Sequence, residues 1–200
     1  GDYYDAIPLQ HGRYLLLLGD VSGHGVRPAF VTGMLKILSG QIARERIDAP
    51  FSPARFLESL SRSIFMELPG YPDLVISLAA VLLDTRTGEL VIANAGHPPI
   101  GVVHGGECEL IGEHGPAIGM DVLVDVRETQ RSVRSGDRIV AFTDGIWDVE
   151  EGAAAPSAEL LRSVFARAAH TPDFLATVDR LLTADSIVRG DGRAPVFRDD

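Results

Sequence analysis

The fold is constrained most strongly by one stretch, Arg13-Tyr14-Leu15-Leu16-Leu17-Leu18-Gly19-Asp20-Val21-Ser22-Gly23-His24-Gly25. Four consecutive leucines between a tyrosine and a glycine predict a short buried strand over residues 13–19, closed by Asp20 and a glycine-rich turn. From residue 26 to residue 46 the apolar residues recur at steps of three and four, which predicts a helix. Pro28 is compatible with its first turn.

The remaining elements fall into blocks of strands and blocks of helices. Ser52 is suited to cap a second helix over residues 53–68. Strands are predicted at 74–83, 89–94, 100–103, 108–111, 123–133 and 138–143, and helices at 157–169 and 172–184. A last strand is predicted to begin at Val196-Phe197. Because strands and helices are segregated rather than alternating, we expect an α+β fold.

Composition limits the class of protein. The chain has 200 residues and 46% hydrophobic content, which is typical of one globular domain. A net charge of −10 argues against binding to nucleic acid or to anionic lipid. The single cysteine, Cys108, excludes an internal disulfide framework and favours a reducing, cytoplasmic location. The longest apolar run, residues 74–83, is too short to span a bilayer. Both ends are expected to be cut from a longer polypeptide.

Aspartates follow or accompany several of the predicted strands. Asp2 lies in the first segment, Asp20 and Asp144 close two strands, and Asp199 follows the last one. A single Asp beside Gly at a strand end is commonly only a turn former. Four such carboxylates brought together would repel each other, and a divalent cation would relieve that repulsion. All-oxygen ligands favour Mg²⁺ or Mn²⁺ over Zn²⁺.

The turn at residues 20–25 resembles the DVSGHG signature of bacterial PPM-family metal-dependent protein Ser/Thr phosphatases, in the branch similar to stage II sporulation protein E. Five further blocks resemble that branch, in its order: Gly1-Asp2-Tyr3-Tyr4-Asp5, Asn94-Ala95-Gly96-His97-Pro98-Pro99, Gly115-Pro116-Ala117-Ile118-Gly119, Gly136-Asp137 with Thr143-Asp144-Gly145-Ile146, and Arg198-Asp199-Asp200. The blocks cover essentially the whole chain, and the ordered set is specific where any one block is not.

The resemblance implies a fold and a metal site. The fold is a single domain, residues 1–200, in which two antiparallel sheets pack as a sandwich flanked by helix pairs. The site holds two Mn²⁺ or Mg²⁺ ions. By the resemblance, Asp20 bridges them, the carbonyl of Val21 binds one, and Asp2 approaches the first ion, usually through water. Asp144 and Asp199 bind the second ion, and Asp20 and Asp144 are the catalytic residues.

The activity implied by the resemblance is removal of phosphate from phosphoserine or phosphothreonine on a protein, often a STAS-type anti-anti-sigma factor. Two cations activate the attacking water, so no covalent intermediate is needed. An upstream sensor or regulatory domain and a second copy of the chain are further expected partners. The first helix pair matches a regulatory switch in this branch, or else simply covers the sheet. The alternative functions are a catalytically weak phosphatase-like regulatory module and a small-molecule phosphohydrolase, although no nucleotide-binding glycine pattern supports the latter.

The sequence leaves open the roles of several other residues in and near these blocks. We expect His24 to shape the turn or to support the metal ligands rather than to bind metal. Gly23 and Gly25 are expected to serve backbone geometry, since a Cβ would crowd the turn. His97 is either part of a structural turn or a contact near the substrate or regulatory elements. Trp147 is interpreted as a core or rim aromatic, and Asp148 as a carboxylate that supports the metal ligands or merely a surface group. Cys108 is interpreted as an ordinary packing or surface residue.

Overall fold

Strands and helices occur in blocks along the chain. In a computed structural model, residues 1–45, 50–68, 74–112, 115–119, 125–146 and 156–188 are described. The strands of this part are β1 (Asp2–Pro8), β2 (Arg13–Val21), β3 (Ile76–Asp84), β4 (Glu89–Ala95), β5 (Ile100–His104), β6 (Glu107–Ile111), β7 (Glu128–Ser132) and β8 (Arg138–Val140). The helices are α1 (Val26–Glu45), α2 (Pro53–Glu67), α3 (Ala158–Ala168) and α4 (Phe174–Val188).

The strands form two sheets. One sheet has five strands in the order β1-β2-β3-β4-β7, and the other has three in the order β6-β5-β8. Every pairing within them is antiparallel. The α+β prediction is therefore confirmed. Among the described residues, no helix has the length and apolar character needed to cross a membrane.

The chain divides into two compact units, and the first contains residues 1–99 and 112–134. Its core lies between the five-stranded sheet and helices α1 and α2. Leu15 and Leu17 of β2 are fully buried in this core, as are Leu35 of α1 and Phe56 and Leu60 of α2. Burying each such side chain stabilises the fold by roughly 1.5–3 kcal/mol. This packing holds β1, β2 and the turn after β2 in place.

The second unit contains residues 100–111 and 135–200. Its core joins the three-stranded sheet to α3 and α4, with the side chain of Phe165 fully buried at its centre. The Phe165 ring lies 5.3 Å from the Phe142 ring and 6.4 Å from the Phe174 ring, measured between centroids. These tilted contacts are favourable for aromatic pairs.

Several element boundaries differ from the sequence prediction. Residues 2–8 form a strand that the sequence did not predict, and β2 continues to Val21, so that Asp20 lies inside it rather than after it. The strand predicted at 138–143 ends at Val140, because Val140 pairs with Gly101, the second residue of β5. Beyond this pair, β5 has almost no residue left against which the strand could continue. Asp144 consequently begins a short 3-10 turn instead of closing a strand. The strand expected at Val196-Phe197 lies outside the described residues.

Candidate functional site

Asp2 and Asp20 are direct cross-strand partners at the end of the β1–β2 pair. Opposite residues on antiparallel strands place their side chains on the same face, with Cβ atoms about 4.5–5.5 Å apart. Both aspartates lie at least partly in contact with solvent, with the Asp20 side chain 31% exposed. Two of the carboxylates singled out in the sequence are therefore neighbours, and each is accessible to an ion from solution.

Backbone pairing of β1 and β2 continues one residue past the two aspartates. The nitrogen of Gly1 lies 2.6 Å from the carbonyl oxygen of Val21, and the N–H of Val21 donates to the carbonyl oxygen of Gly1 at 3.0 Å. These are the hydrogen bonds expected of opposite residues on antiparallel strands. The neighbouring carboxylates of Asp2 and Asp20 offer the hard oxygen ligands that Mg²⁺ and Mn²⁺ prefer. The chemistry of this pair therefore fits a hard divalent cation.

Four of the sequence blocks meet at this end of the five-stranded sheet. Val21 pairs with Ile76, the first residue of β3, and Ile76 exchanges backbone hydrogen bonds of 2.8 and 2.9 Å with Ile118. Two residues further along β3, Leu78 pairs with Ala95, which is bridged to Gly115. The blocks beginning at residues 1, 20, 94 and 115 are thus linked by backbone pairing.

The turn between β2 and α1 depends on its two glycines. Gly23 has a φ of 93° and Gly25 a φ of 87°. Residues with a Cβ adopt such positive φ values only at a cost. These φ values agree with the expectation that the two glycines serve backbone geometry. The crowding expected of a Cβ is not found, because its position on Gly25 is open and that on Gly23 meets only Pro28, at 3.7 Å. Backbone conformation rather than lack of space therefore requires glycine here.

His97 belongs to a buried, internally hydrogen-bonded loop. Its backbone N–H donates to Oδ1 of Asn94 at 2.7 Å, and Nδ2 of Asn94 donates to the carbonyl oxygens of His97 and Pro98 at 2.8 and 3.2 Å. The His97 side chain is completely buried. Of the two alternatives for His97, this geometry favours the structural turn. His24, by contrast, is exposed in the glycine turn.

The other predicted ligands lie in the second unit or outside the described residues. Asp144 is exposed at the start of its 3-10 turn and belongs to the second unit. Asp199, Asp148 and Trp147 lie outside the described residues. Within the described residues, no three or more His, Cys, Asp or Glu side chains form a group that could hold a metal ion. The roles of Asp144 and Asp199 therefore stay predictions.

Cys108 lies on β6 and is half-buried. Burial raises the pKa of its thiol above the ordinary value, against the opposing effect of the Arg162 charge. A cysteine nucleophile requires a lowered pKa, because the thiolate is the reactive form. The environment of Cys108 thus agrees with its interpretation as a packing residue.

Sequence reasoning missed two polar interactions near the site. Ser22 is hydrogen-bonded to Val75, immediately before β3. The carboxylate of Asp5 on β1 forms an ion pair with the ammonium group of Lys36 on α1. Both Ser22 and Asp5 lie inside the sequence blocks that resemble the phosphatase family, and this resemblance was the sequence signal that pointed to them. Their partners are 53 and 31 residues away, so the contacts themselves could not be anticipated.

Comparison with known proteins agrees with this arrangement. Residues 10–193 match the family model for stage II sporulation protein E (SpoIIE). The chain belongs to the SpoIIE family. This SpoIIE-family chain is 26% identical over 151 residues to the phosphoserine phosphatase RsbP of Bacillus subtilis (strain 168). That alignment covers 74% of the chain but only 36% of RsbP, so the chain spans about a third of this relative's length.

Solved structures place the SpoIIE-family chain in the PP2C phosphatase fold. The SiaA-PP2C domain of Pseudomonas aeruginosa superposes with a TM-score of 0.73 and 23% identity, covering 100% of this chain and 77% of that one. The structure of the RsbU and RsbW domains of Rv1364c from Mycobacterium tuberculosis gives a TM-score of 0.69 with 26% identity, covering 92% of this chain and 51% of that one. The chain is therefore a PP2C-type phosphatase domain by family and by fold.

Proposed function

We propose that the chain hydrolyses phosphoserine or phosphothreonine on a protein substrate in a reaction that depends on divalent metal. The observation that supports this most directly is the cross-strand pairing of Asp2 with Asp20, which puts two carboxylates side by side at the end of the β1–β2 pair. The relationship to a phosphoserine phosphatase supports the choice of reaction.

The residues present define what the protein itself contributes. Asp2 and Asp20 supply negative charge at one end of the five-stranded sheet. The carbonyl of Val21 is proposed to add a neutral oxygen ligand. Asp144 and Asp199 are proposed to complete the site as ligands of a second ion. When bound there, Mn²⁺ or Mg²⁺ would lower the pKa of a water and offset the charge of the phosphate. Packing of α1 and α2 against the sheet holds the Asp20 turn in place before any ion binds.

The proposed partners follow from the same family. We infer that the substrate is a phosphorylated STAS-type protein, that an upstream sensor or regulatory domain controls the domain, and that a second copy of the chain is a candidate partner. A cytoplasmic location is consistent with a protein substrate of this kind. The catalytically weak binding module is the alternative, because family membership alone does not distinguish binding from turnover.

Phosphate release tests the proposal. The substrates are a serine-phosphorylated STAS protein, a phosphoserine peptide and a nucleotide, each with Mn²⁺ and with a chelator. We expect Mn²⁺-dependent release from the phosphoprotein that exceeds release from the nucleotide. Preference for the nucleotide would indicate a small-molecule phosphohydrolase. Binding of the phosphoprotein without phosphate release would indicate the regulatory module instead.

A further inference from the structure

Asp20 has a second neighbour on the face of the sheet that carries the two carboxylates. In the β2–β3 ladder it lies directly opposite Ser77, just as it lies opposite Asp2 in the β1–β2 ladder. Opposite residues on antiparallel strands place their side chains on the same face. Asp2, Asp20 and Ser77 therefore form one row across three strands, in which a hydroxyl group lies on one side of Asp20 and a carboxylate on the other.

Main-chain hydrogen bonds fix Ser77 relative to Asp20. The N–H of Ser22 donates to the carbonyl oxygen of Val75 at 2.9 Å. Along an antiparallel ladder, hydrogen-bonded and non-hydrogen-bonded pairs alternate. The pair two residues along from Ser22 and Val75 is that of Asp20 and Ser77, so it is of the hydrogen-bonded kind. Their register is consequently set by the main chain and does not depend on either side chain.

Ser77 differs from the rest of its strand. β3 reads ISLAAVLLD from Ile76 to Asp84, so Ser77 is its only polar residue before the final aspartate. The next two residues on the same face, Ala79 and Val81, are buried, whereas Ser77 is half-buried. A hydroxyl in such surroundings costs free energy unless it is hydrogen-bonded. Within the part of the chain that the structure describes, the Ser77 hydroxyl makes no hydrogen bond, so this donor is available to Asp20.

The hydroxyl is within reach of the carboxylate. Cross-strand neighbours have Cβ atoms about 4.5–5.5 Å apart, and rotation about the Cα–Cβ bonds of Ser77 and Asp20 directs their oxygen atoms toward each other. A hydroxyl that donates to a carboxylate forms a charge-assisted hydrogen bond, which is roughly twice as strong as a neutral one. Such a bond holds the carboxylate in one orientation and offsets part of its repulsion by Asp2.

We propose that Ser77 is a positioning residue whose hydroxyl donates a hydrogen bond to the Asp20 carboxylate and so orients it for a divalent metal ion. This inference rests on the proposed metal-dependent function. In this role the hydroxyl neither binds the ion nor reacts. Groups that orient metal ligands contribute about 10- to 100-fold to metal affinity.

Three substitutions at Ser77 separate the hydroxyl from the size of the side chain. Ser77→Ala removes the hydroxyl alone. Ser77→Thr and Ser77→Val have nearly the same shape, and both suit a strand, but only Thr keeps the hydroxyl. Ser132→Ala is a matched control, because it removes a hydroxyl at the opposite edge of the same sheet, where Ser132 pairs with Glu89. Asp20→Asn is the reference for loss of a metal ligand.

The measurement is a calorimetric titration of each metal-free variant with Mn²⁺, after urea denaturation has shown that the variant is folded. We expect Ser77→Ala and Ser77→Val to raise the Kd for Mn²⁺ by about 10- to 100-fold. Ser77→Thr is expected to stay within about threefold of wild type, well below that range, and Ser132→Ala to match wild type.

Two results would overturn the positioning role while the proposed function stands. One is wild-type Mn²⁺ affinity in Ser77→Ala or Ser77→Val, together with lost affinity in Asp20→Asn. The other is equal weakening by Ser77→Val and Ser77→Thr, which would assign the effect to side-chain packing. Failure of the wild-type chain to bind Mn²⁺ would overturn the metal-dependent function, and the role of Ser77 with it.

Discussion

The Nζ atom of Lys36, on α1, lies 2.6 Å from Oδ1 of Asp5, on β1. The same Asp5 oxygen accepts the N–H of Ala6 at 2.9 Å, and Oδ2 accepts the hydroxyl of Tyr3 at 3.3 Å. Asp5 therefore joins a helix to an edge strand and satisfies a backbone group of that strand. Its side chain is 10% exposed, whereas that of Lys36 is 62% exposed.

Removal of the two partners of this contact is predicted to have unequal effects. Lys36→Met loses one solvent-exposed ion pair and should lower the free energy of unfolding by less than about 1 kcal/mol. Asp5→Ala loses the acceptor for three donors and should cost about 2 kcal/mol. Urea denaturation measures both, with Lys36→Arg as the charge-preserving control. Equal losses for Lys36→Met and Asp5→Ala would show that Asp5 acts only through the ion pair.

The raised pKa of Tyr3 predicts that the folded state loses stability at high pH. Burial, reinforced by the nearby Asp5 charge, raises the pKa of Tyr3 from 10.0 to about 12. Between these two values the unfolded chain releases the proton while the folded chain keeps it. The stabilisation is therefore complete below pH 10 and is lost as the pH rises through about 12. Denaturation midpoints across this range should show a shallower decline in Tyr3→Phe, and identical slopes would contradict the assignment.

Glu128 of β7 caps the beginning of α2 from a distant part of the chain. Its Oε1 accepts the Ser52 hydroxyl at 2.6 Å and the N–H of Ala54 at 3.0 Å. Ser52 itself accepts the N–H of Arg55 at 3.2 Å. Glu128→Ala and Ser52→Ala should each lower stability by about 1 kcal/mol. A double-mutant cycle should give a coupling energy above zero, whereas additive effects would mean that the two caps act independently.

Cys108→Ser should leave kcat for phosphoserine hydrolysis unchanged. The raised pKa of the thiol keeps it protonated at neutral pH, and the proposed nucleophile is water. Phosphate release at saturating Mn²⁺ measures the effect. A loss greater than about tenfold, which corresponds to about 1.4 kcal/mol of barrier, would indicate a covalent mechanism through this cysteine.

Local sequence patterns predicted the elements whose formation depends on residues that lie close together in the sequence. The leucines of β2 and the regular apolar spacing of α1 are signals of this kind, as is Ser52 before α2. Strand β1 was missed because its position 5 is an aspartate, whose charge is paired by Lys36 on another element. Part of the site was predictable because Asp2 and Asp20 lie in recognised blocks. The hydrogen bond of Ser22 was not, since it depends on the register of β3.

Strand pairing also determines which predictions about the site can be made from geometry. Asp2 and Asp20 are neighbours because β1 and β2 pair directly along their full length. Asp144 follows a three-residue strand of the other sheet, and Asp199 lies outside the described residues. For these two aspartates the family pattern remains the whole argument. Variants at Asp144 and Asp199 therefore test the family resemblance, whereas variants at Asp20 test the geometry.

The central claim, that Asp20 holds the metal required for hydrolysis, is tested most directly by Mn²⁺-dependent phosphate release in Asp20→Asn. The account predicts a loss of roughly a thousandfold, about 4 kcal/mol of barrier. It also predicts equal or higher stability of the metal-free variant, because one of two opposed carboxylates is neutralised. Asp179→Asn, an exposed carboxylate on α4, is the control and should keep full activity. Wild-type Mn²⁺-dependent activity in Asp20→Asn would contradict the claim.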